Sequence, residues 1–349
     1  MAKLADARDL KSRVLLKGRA GSTPAPGRMR ERKKIKFAMR KVLIITIVVL
    51  TSAFTYKLIH TIEENKIYEK YKKIKFHNWE SVSSEIQSYI FSFPGIVGLY
   101  VEDIETGMYM AYNAKRLFPS ASVVKIPIMA AVFKYLKERK IPETYKLPLK
   151  RHHKASGAGR LKYSRIGSKF TIIELLERMI TESDNTATNM LVELLGFDYL
   201  NRAFAEFGLK ATNIHRNVMD MKKLKMGIEN YTTPDDIGYL LREIYFKRVV
   251  DEHTSEKMLG ILLRQKVNDR ITRGVPAGCK VAHKTGLMRN VCHDAGIVFH
   301  PNGTFIICVF TENVPNYATA KNFIAAVSSI ISRYYATTPT TDVTLHTFQ

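Results

Sequence analysis

The chain is poor in acid. Across 349 residues, 32 Asp and Glu face 55 Lys and Arg, a formal net charge of +23. Spread over one face, such an excess would point to a nucleic-acid partner. It is not spread: residues 1–41 carry 14 Lys and Arg against Asp6, Asp9 and Glu31, so this segment alone is +11. No nucleic-acid partner is expected. Cysteine is also sparse. Cys279, Cys292 and Cys308 are an odd number, which excludes complete internal pairing, and no spacing matches a zinc site. They read as small buried apolar residues. The histidines give no metal spacing either. His152 and His153, in KRHHK, read as a solvated loop, and His293 follows a predicted strand with no role assigned. No metal or other cofactor is expected.

Only one long uncharged apolar run exists, VLIITIVVLTSAFTY at 42–56, extended by Leu58, Ile59 and Ile62 if Lys57 snorkels. It follows RMRERKKIKFAMRK, a patch that the positive-inside rule keeps in the cytoplasm. A buried core helix seldom has such a flank. A cleaved signal peptide is the closer rival, with Thr51-Ser52-Ala53 as a weak cleavage site, but 41 residues are a long lead. The expectation is an unstructured basic cytoplasmic tail (1–41) and an uncleaved signal anchor (42–62) in a membrane. A helical stalk (63–78), an extracytoplasmic domain (79–336) and a loose tail (337–349) would follow.

Within the domain, GIVGLYVEDIETGMYMAYN (95–113) reads as a hairpin. Helical periods cover 79–92, 122–136, 171–180, 187–196, 197–208, 232–246 and 254–264. KVAHKTG (280–286) is β-like, 294–312 is a second hairpin turning at Pro301-Asn302-Gly303, and 318–335 is a closing helix. Strands at both ends with helices between them predict an α/β fold of the α+β type. One antiparallel sheet comes from both chain ends, with an inserted helical lobe and a cleft between them.

FPSASVVK (118–125) carries the chemistry. Ser122 and Lys125 are three apart, so a helix places them on one face. A lysine that burial or a neighbouring cation makes neutral can take the serine proton. Ser120 has Val123 at that spacing, which favours Ser122. Alone, Ser-x-x-Lys is a weak signal. Ser183-Asp184-Asn185 and Lys284-Thr285-Gly286 follow in order, each occurring once. This set, with ITESDNTATNMLV, YTTPDDIGYLL and VAHKTG before DAGIV, resembles the penicillin-recognising serine hydrolases, closest to the class A β-lactamase branch of the β-lactamase and D,D-peptidase superfamily. The likeness spans about residues 79–336.

The resemblance implies an acyl-enzyme at Ser122, with Lys125 as base or proton relay and Ser183 passing a proton to the leaving nitrogen. The backbone N–H groups of Ser122 and Leu287 would form the oxyanion hole. Asn185 would hold the substrate amide, Lys284 and Thr285 its carboxylate, and Gly286 would let the strand approach the substrate. Asp184 reads as structural, tying down its turn. The pattern breaks in NIHRNVMDMKKLKMGIENYTTP (213–234). The family's Glu-x-x-Leu-Asn is absent, and its glutamate position falls on Asn217. The acidic loop anchor is replaced by Asn230. Asp220 and Glu229 are the substitute carboxylates, with Asp220 nearer the expected place for a deacylation base.

Two enzymatic readings result: a β-lactamase, slow if it lacks a base, or a D,D-carboxypeptidase or endopeptidase on peptidoglycan D-Ala-D-Ala stems. A non-catalytic β-lactam or muropeptide sensor is a third, and an esterase or amidase on the same scaffold a fourth.

Overall fold

The structure, a computed structural model, describes residues 26–337, so most of the expected cytoplasmic tail and nearly all of the C-terminal tail lie outside the described residues. The chain divides into two units, one ending at Lys66 and one beginning at Ile67. Helix α1, Pro26–Phe91, starts in the first. Residues 26–41 are thus helical rather than unstructured, being rich in strong helix formers. No break separates a stalk from a helix at 79, because no Gly or Pro occurs between residues 28 and 91. Pro94 and Gly95 follow its end. One stretch of α1 is long and apolar enough to cross a membrane. Its side chains, Val42, Leu43, Ile44 and Ile45 among them, are exposed. Water does not favour a bare apolar surface of that length.

The second unit is built on a five-stranded antiparallel sheet. Strand β1 (Ile96–Asp103) pairs with β2 (Tyr109–Tyr112) as the first hairpin. The two-residue strand β3 (Phe118–Pro119) leads to helix α2 (Lys125–Arg139). A small pair, β4 (Lys146–Pro148) and β5 (Lys169–Thr171), precedes helices α3 (Ile172–Thr181), α4 (Asn185–Leu195) and α5 (Phe197–Glu206). Then come α6 (Met221–Lys225), β6 (Tyr231–Thr232), α7 (Pro234–Tyr245), α8 (Glu252–Leu263) and α9 (Ile271–Gly274). Strands β7 (Lys280–Met288), β8 (Val291–His300) and β9 (Gly303–Glu312) complete the sheet, in the order β2-β1-β9-β8-β7, and α10 (Tyr317–Thr337) closes it. The two ends of the chain therefore make one sheet around an inserted helical lobe, as expected.

Period-two alternation in the strands explains the layering. Phe305, Ile307 and Val309 of β9 face a cluster with Val97, Leu99, Val101 and α10. Ile306, Cys308 and Phe310 face the lobe, where α2 is buried almost all round. The three thiols are free; Cys292 and Cys308 are buried, and Cys279 is partly exposed.

The folded unit begins before residue 79. Trp79 packs edge-on against Tyr334 at 5.3 Å between ring centroids. Lys75 is 1% exposed and pairs with Glu105 at 2.5 Å and Asp103 at 3.5 Å. Asp103 also accepts from Thr106 at 2.7 Å and from the Tyr335 hydroxyl at 2.5 Å. Removing one partner of a buried pair leaves an uncompensated charge. Lys75→Met should therefore destabilise the second unit by about 3 kcal/mol, read by urea unfolding of the full chain in detergent. A loss below about 1 kcal/mol would mean that the pair carries no such weight.

Candidate active site

The nucleophile segment is held from both sides. Phe118 and Pro119 pair with Thr232 and Tyr231, and the Ser120 N–H donates to Asn230 O at 2.8 Å. Ala121 sits at φ +45°, in the left-handed region where a non-glycine residue is uncommon. The chain then winds into a tight turn, with Val123 N–H to Ser120 O at 3.0 Å and Lys125 N–H to Ser122 O at 3.3 Å. Ser122 thus lies just ahead of α2. Ser122 lines a cavity, and its hydroxyl makes no hydrogen bond among the described residues. Ser120 is wholly buried, its hydroxyl unpartnered.

Lys125 and Lys284 are both fully buried, and both reach Ser183. The Lys125 ammonium nitrogen lies 2.7 Å from Ser183 O, 3.1 Å from Ser183 Oγ and 2.9 Å from Asn185 Oδ1. Lys284 Nζ lies 3.1 Å from Ser183 Oγ and 2.8 Å from Thr285 O. Burial pushes Lys125 well below the usual lysine range, and the charge on Lys284 adds to this. Burial lowers Lys284 to about 7, while Asp294 opposes the shift. A neutral Lys125 can donate to the two carbonyl-type oxygens and keep its lone pair for a hydroxyl proton. The Lys125 side chain makes no direct bond to the Ser122 hydroxyl.

The turn that presents Ser183 is fixed by Asp184, as expected. Its carboxylate caps α4 through the Ala187 N–H at 2.9 Å and takes the Leu161 N–H at 2.9 Å. Gly159, at φ +93°, passes so close that a Cβ there would lie 2.2 Å from the Asp184 carboxyl. Asn185 donates to Ser156 O at 2.8 Å, which turns its Oδ1 towards Lys125.

A cavity of about 560 Å³ joins these parts. Ser122, Ser183, Asn185, Thr285 and Leu287 line it. Lys284 does not line it; its Nζ bonds Ser183 Oγ and Thr285 O at the edge of the cavity. Gly286 is also covered. A Cβ there would lie 2.9 Å from Val123 and 3.3 Å from Ala121, so its bareness admits the turn that carries Ser122. The cavity has cations that sequence reasoning missed, Arg270 and Arg289. Arg270 is 1% exposed and places Nε 3.1 Å from Cys292 Sγ. Nothing in VNDRITRG distinguishes it, since its place depends on long-range packing.

The 213–230 loop departs from expectation at its anchor. Asn230 does the anchoring: its Oδ1 accepts from the His215 N–H at 2.8 Å and the Arg216 N–H at 3.0 Å, and its Nδ2 donates to Arg216 O at 3.0 Å. Beside it, Arg216 pairs with Glu229 Oε1 at 2.5 Å, and both are nearly buried. Glu229 lines the cavity, but this oxygen also takes the Asn230 N–H at 2.7 Å. Asp220, the favoured base on sequence, instead caps α6 by accepting the Lys223 N–H at 3.0 Å and does not line the cavity. The α6 turn consumes the carboxylate.

Two histidines also differ from expectation. His153 is buried, not solvated; its Nδ1 accepts the Lys150 N–H at 3.1 Å and its Nε2 meets Glu193 at 2.8 Å. His293 is fully buried behind the nucleophile segment, stacked on Phe310. Its Nδ1 accepts the Thr311 N–H at 3.1 Å, so Nε2 carries the proton and donates to Pro119 O at 2.9 Å.

Residues 81–335 match the β-lactamase enzyme family. The chain is similar to the β-lactamase of Streptomyces fradiae, 28% identical over 242 residues covering 66% of this chain and 78% of that protein. A solved structure of PBP-A is 31% identical at a TM-score of 0.69, covering 73% of this chain and 96% of that one. A β-lactamase from Sphaerobacter thermophilus is 30% identical at a TM-score of 0.68, covering 75% and 99%. Fold and site define a penicillin-recognising serine hydrolase. The chain belongs to the β-lactamase enzyme family.

His293 supplies a pH test. Burial lowers it from 6.5 to about 4, so the folded state resists a proton that the unfolded state accepts. Its contribution to stability is complete above pH 6.5 and is lost as pH falls towards 4, by up to about 3 kcal/mol. His293→Gln, which can still donate and accept, should flatten the stability curve between those values relative to wild type. Parallel curves would refute the assignment.

Proposed function

We propose that this chain is a membrane-anchored serine hydrolase that forms an acyl-enzyme at Ser122 with β-lactams and releases it slowly. The observation that carries this reading is the unbonded Ser122 hydroxyl in a cavity lined by Ser183 and Asn185, the two residues that hold the buried, pKa-lowered Lys125. Ser122 Oγ attacks the amide carbonyl as its proton passes to Lys125. The carbonyl oxygen takes the developing charge at the N–H groups of Ser122 and Leu287. The C–N bond breaks, and the proton travels from Lys125 through Ser183 to the leaving nitrogen. Asn185 orients the amide side chain, while Thr285, with Arg270 and Arg289 nearby, receives the carboxylate.

Slow release follows from the loop. Asp220 Oδ1 caps α6, and Glu229 Oε1 is held by Arg216 and the Asn230 N–H, so each carboxylate of that loop is already engaged, which disfavours it as the base that activates water. The same observation favours a second reading, a D,D-peptidase on peptidoglycan stems ending in D-Ala-D-Ala. Such an enzyme can be trapped by penicillin. The apolar stretch of α1 and the basic residues before it support a single-pass anchor at 42–62 in a bacterial cytoplasmic membrane, with the catalytic unit outside.

The test is intact mass of the full chain in detergent, incubated with benzylpenicillin. The expected result is one adduct, mapped to Ser122, persisting for hours and absent from Ser122→Ala. No adduct on the wild type would remove the acyl-enzyme reading. An adduct gone within seconds, with penicilloate accumulating, would make the chain a fast β-lactamase.

A further inference from the structure

A second concavity lies apart from Ser122. Two adjoining cavities of about 680 and 390 Å³ share Tyr100, Tyr109 and Asp235, and neither shares a lining residue with the cavity at Ser122. Both lie on the lobe side of the sheet, at its β2 edge. Antiparallel pairing sets Tyr109 opposite Glu102, so Tyr109 stands on the same face as Glu102 and Tyr100. Tyr100 is fixed. Its ring rests on α7 because residue 238 is glycine, where a Cβ would come within 2.4 Å of it. Its hydroxyl donates to Glu102 at 2.5 Å, and Arg242 Nε lies 2.9 Å from the same carboxylate. Tyr109 is 66% exposed, and its hydroxyl bonds nothing among the described residues. The acids at the start of α7 divide their tasks. Asp236 accepts the Lys210 and Ala211 N–H groups at 3.0 and 2.8 Å, and its own N–H is capped by Thr233 at 3.0 Å. Asp235 does neither. It is half-buried, lines both cavities, and its carboxylate has no hydrogen-bond or ion-pair partner among the described residues. Lys115 lines one cavity and Lys210 the other, and neither side chain forms an ion pair among the described residues.

We propose that this groove is a non-catalytic saccharide site, which holds a chain of N-acetylated amino sugars such as the glycan strand of peptidoglycan. The naming of that polymer rests on the peptidoglycan reading of the Ser122 site; the saccharide chemistry rests on the groove. A sugar ring has a C–H face and a rim of hydroxyl and amide groups. The face packs on an open tyrosine ring, which Tyr109 supplies. Hydroxyls both donate and accept, so they need acceptors and donors together. Asp235 is a free acceptor, and Lys115 and Lys210 are free donors. A lipid chain would leave these three charges buried without partners. A polyanion would be repelled by Asp235. Two cavities end to end suit a run of sugars better than one compact molecule, and the clamped Tyr100 ring keeps the floor between them in place without a cost on binding.

The experiment is co-sedimentation of the full chain in detergent with purified insoluble peptidoglycan, in saturating benzylpenicillin so that the Ser122 site is occupied. Chitohexaose, a soluble chain of N-acetylglucosamine, is the competitor. Binding should survive the penicillin, be competed by chitohexaose, and weaken about tenfold in Tyr109→Ala and in Asp235→Asn. Both variants should fold, since Tyr109 is exposed and Asn keeps the size of Asp. Acylation by benzylpenicillin, read by intact mass, should be unchanged in both. A Kd within about twofold of wild type in both variants would overturn the groove, as would competition by a free D-Ala-D-Ala stem peptide but not by chitohexaose. Either result with acylation intact leaves the Ser122 reading standing. Absence of a penicillin adduct on the wild type would remove that reading, while glycan binding sensitive to Tyr109 and Asp235 would still support the groove.

Discussion

Burying a lysine is costly, and the active site is organised around that cost. Lys125 sits at the start of a helix buried almost all round, and its own side chain is shielded from solvent. Its hydrogen bonds go to Ser183 and Asn185, on a turn 58 and 60 residues away in sequence. The lobe and the segment that carries Ser122 are thus joined by a buried lysine whose proton affinity is lowered. Lys284, brought in from the sheet to the same serine, adds a second cation and strengthens the effect. Packing and reactivity have one origin here.

The sheet supports this arrangement mechanically. Gly286 lets β7 close on the turn that carries Ser122, and His293 on β8 ties the carbonyl just before that turn. Asp184 removes freedom from the Ser183 turn by bonding two N–H groups on different segments. The Ser122 hydroxyl, at the cavity, is left without a partner among the described residues.

Much of this was legible in the sequence because the chemistry is local. Ser122 with Lys125, Ser183 with Asn185, and Lys284 with Thr285 each lie within three residues, and each triplet occurs once. Alternation in 294–312 and the helical periods of the lobe likewise need only short windows. What escaped depends on distance. Lys75 lies in a stretch that reads as solvated stalk, yet it is buried against acids 28 and 30 residues later. Arg216 and Glu229 pair across 13 residues of loop, and Asn230 anchors through its amide where an acid was expected. Asp220 has the right chemical type but is consumed by a helix start that only the folded loop reveals. Asn185, Asn189 and Asn230 all act by bonding backbone, which a sequence pattern does not register.

The loop's anchors, of which Arg216, Glu229 and Asn230 also line the cavity, are not the residues of α6. The ends are fixed by Asn189, Arg216, Glu229 and Asn230, whereas α6 between them contains no buried residue. Selection can therefore rewrite 219–225 without eroding the fold, because little packing is at stake there.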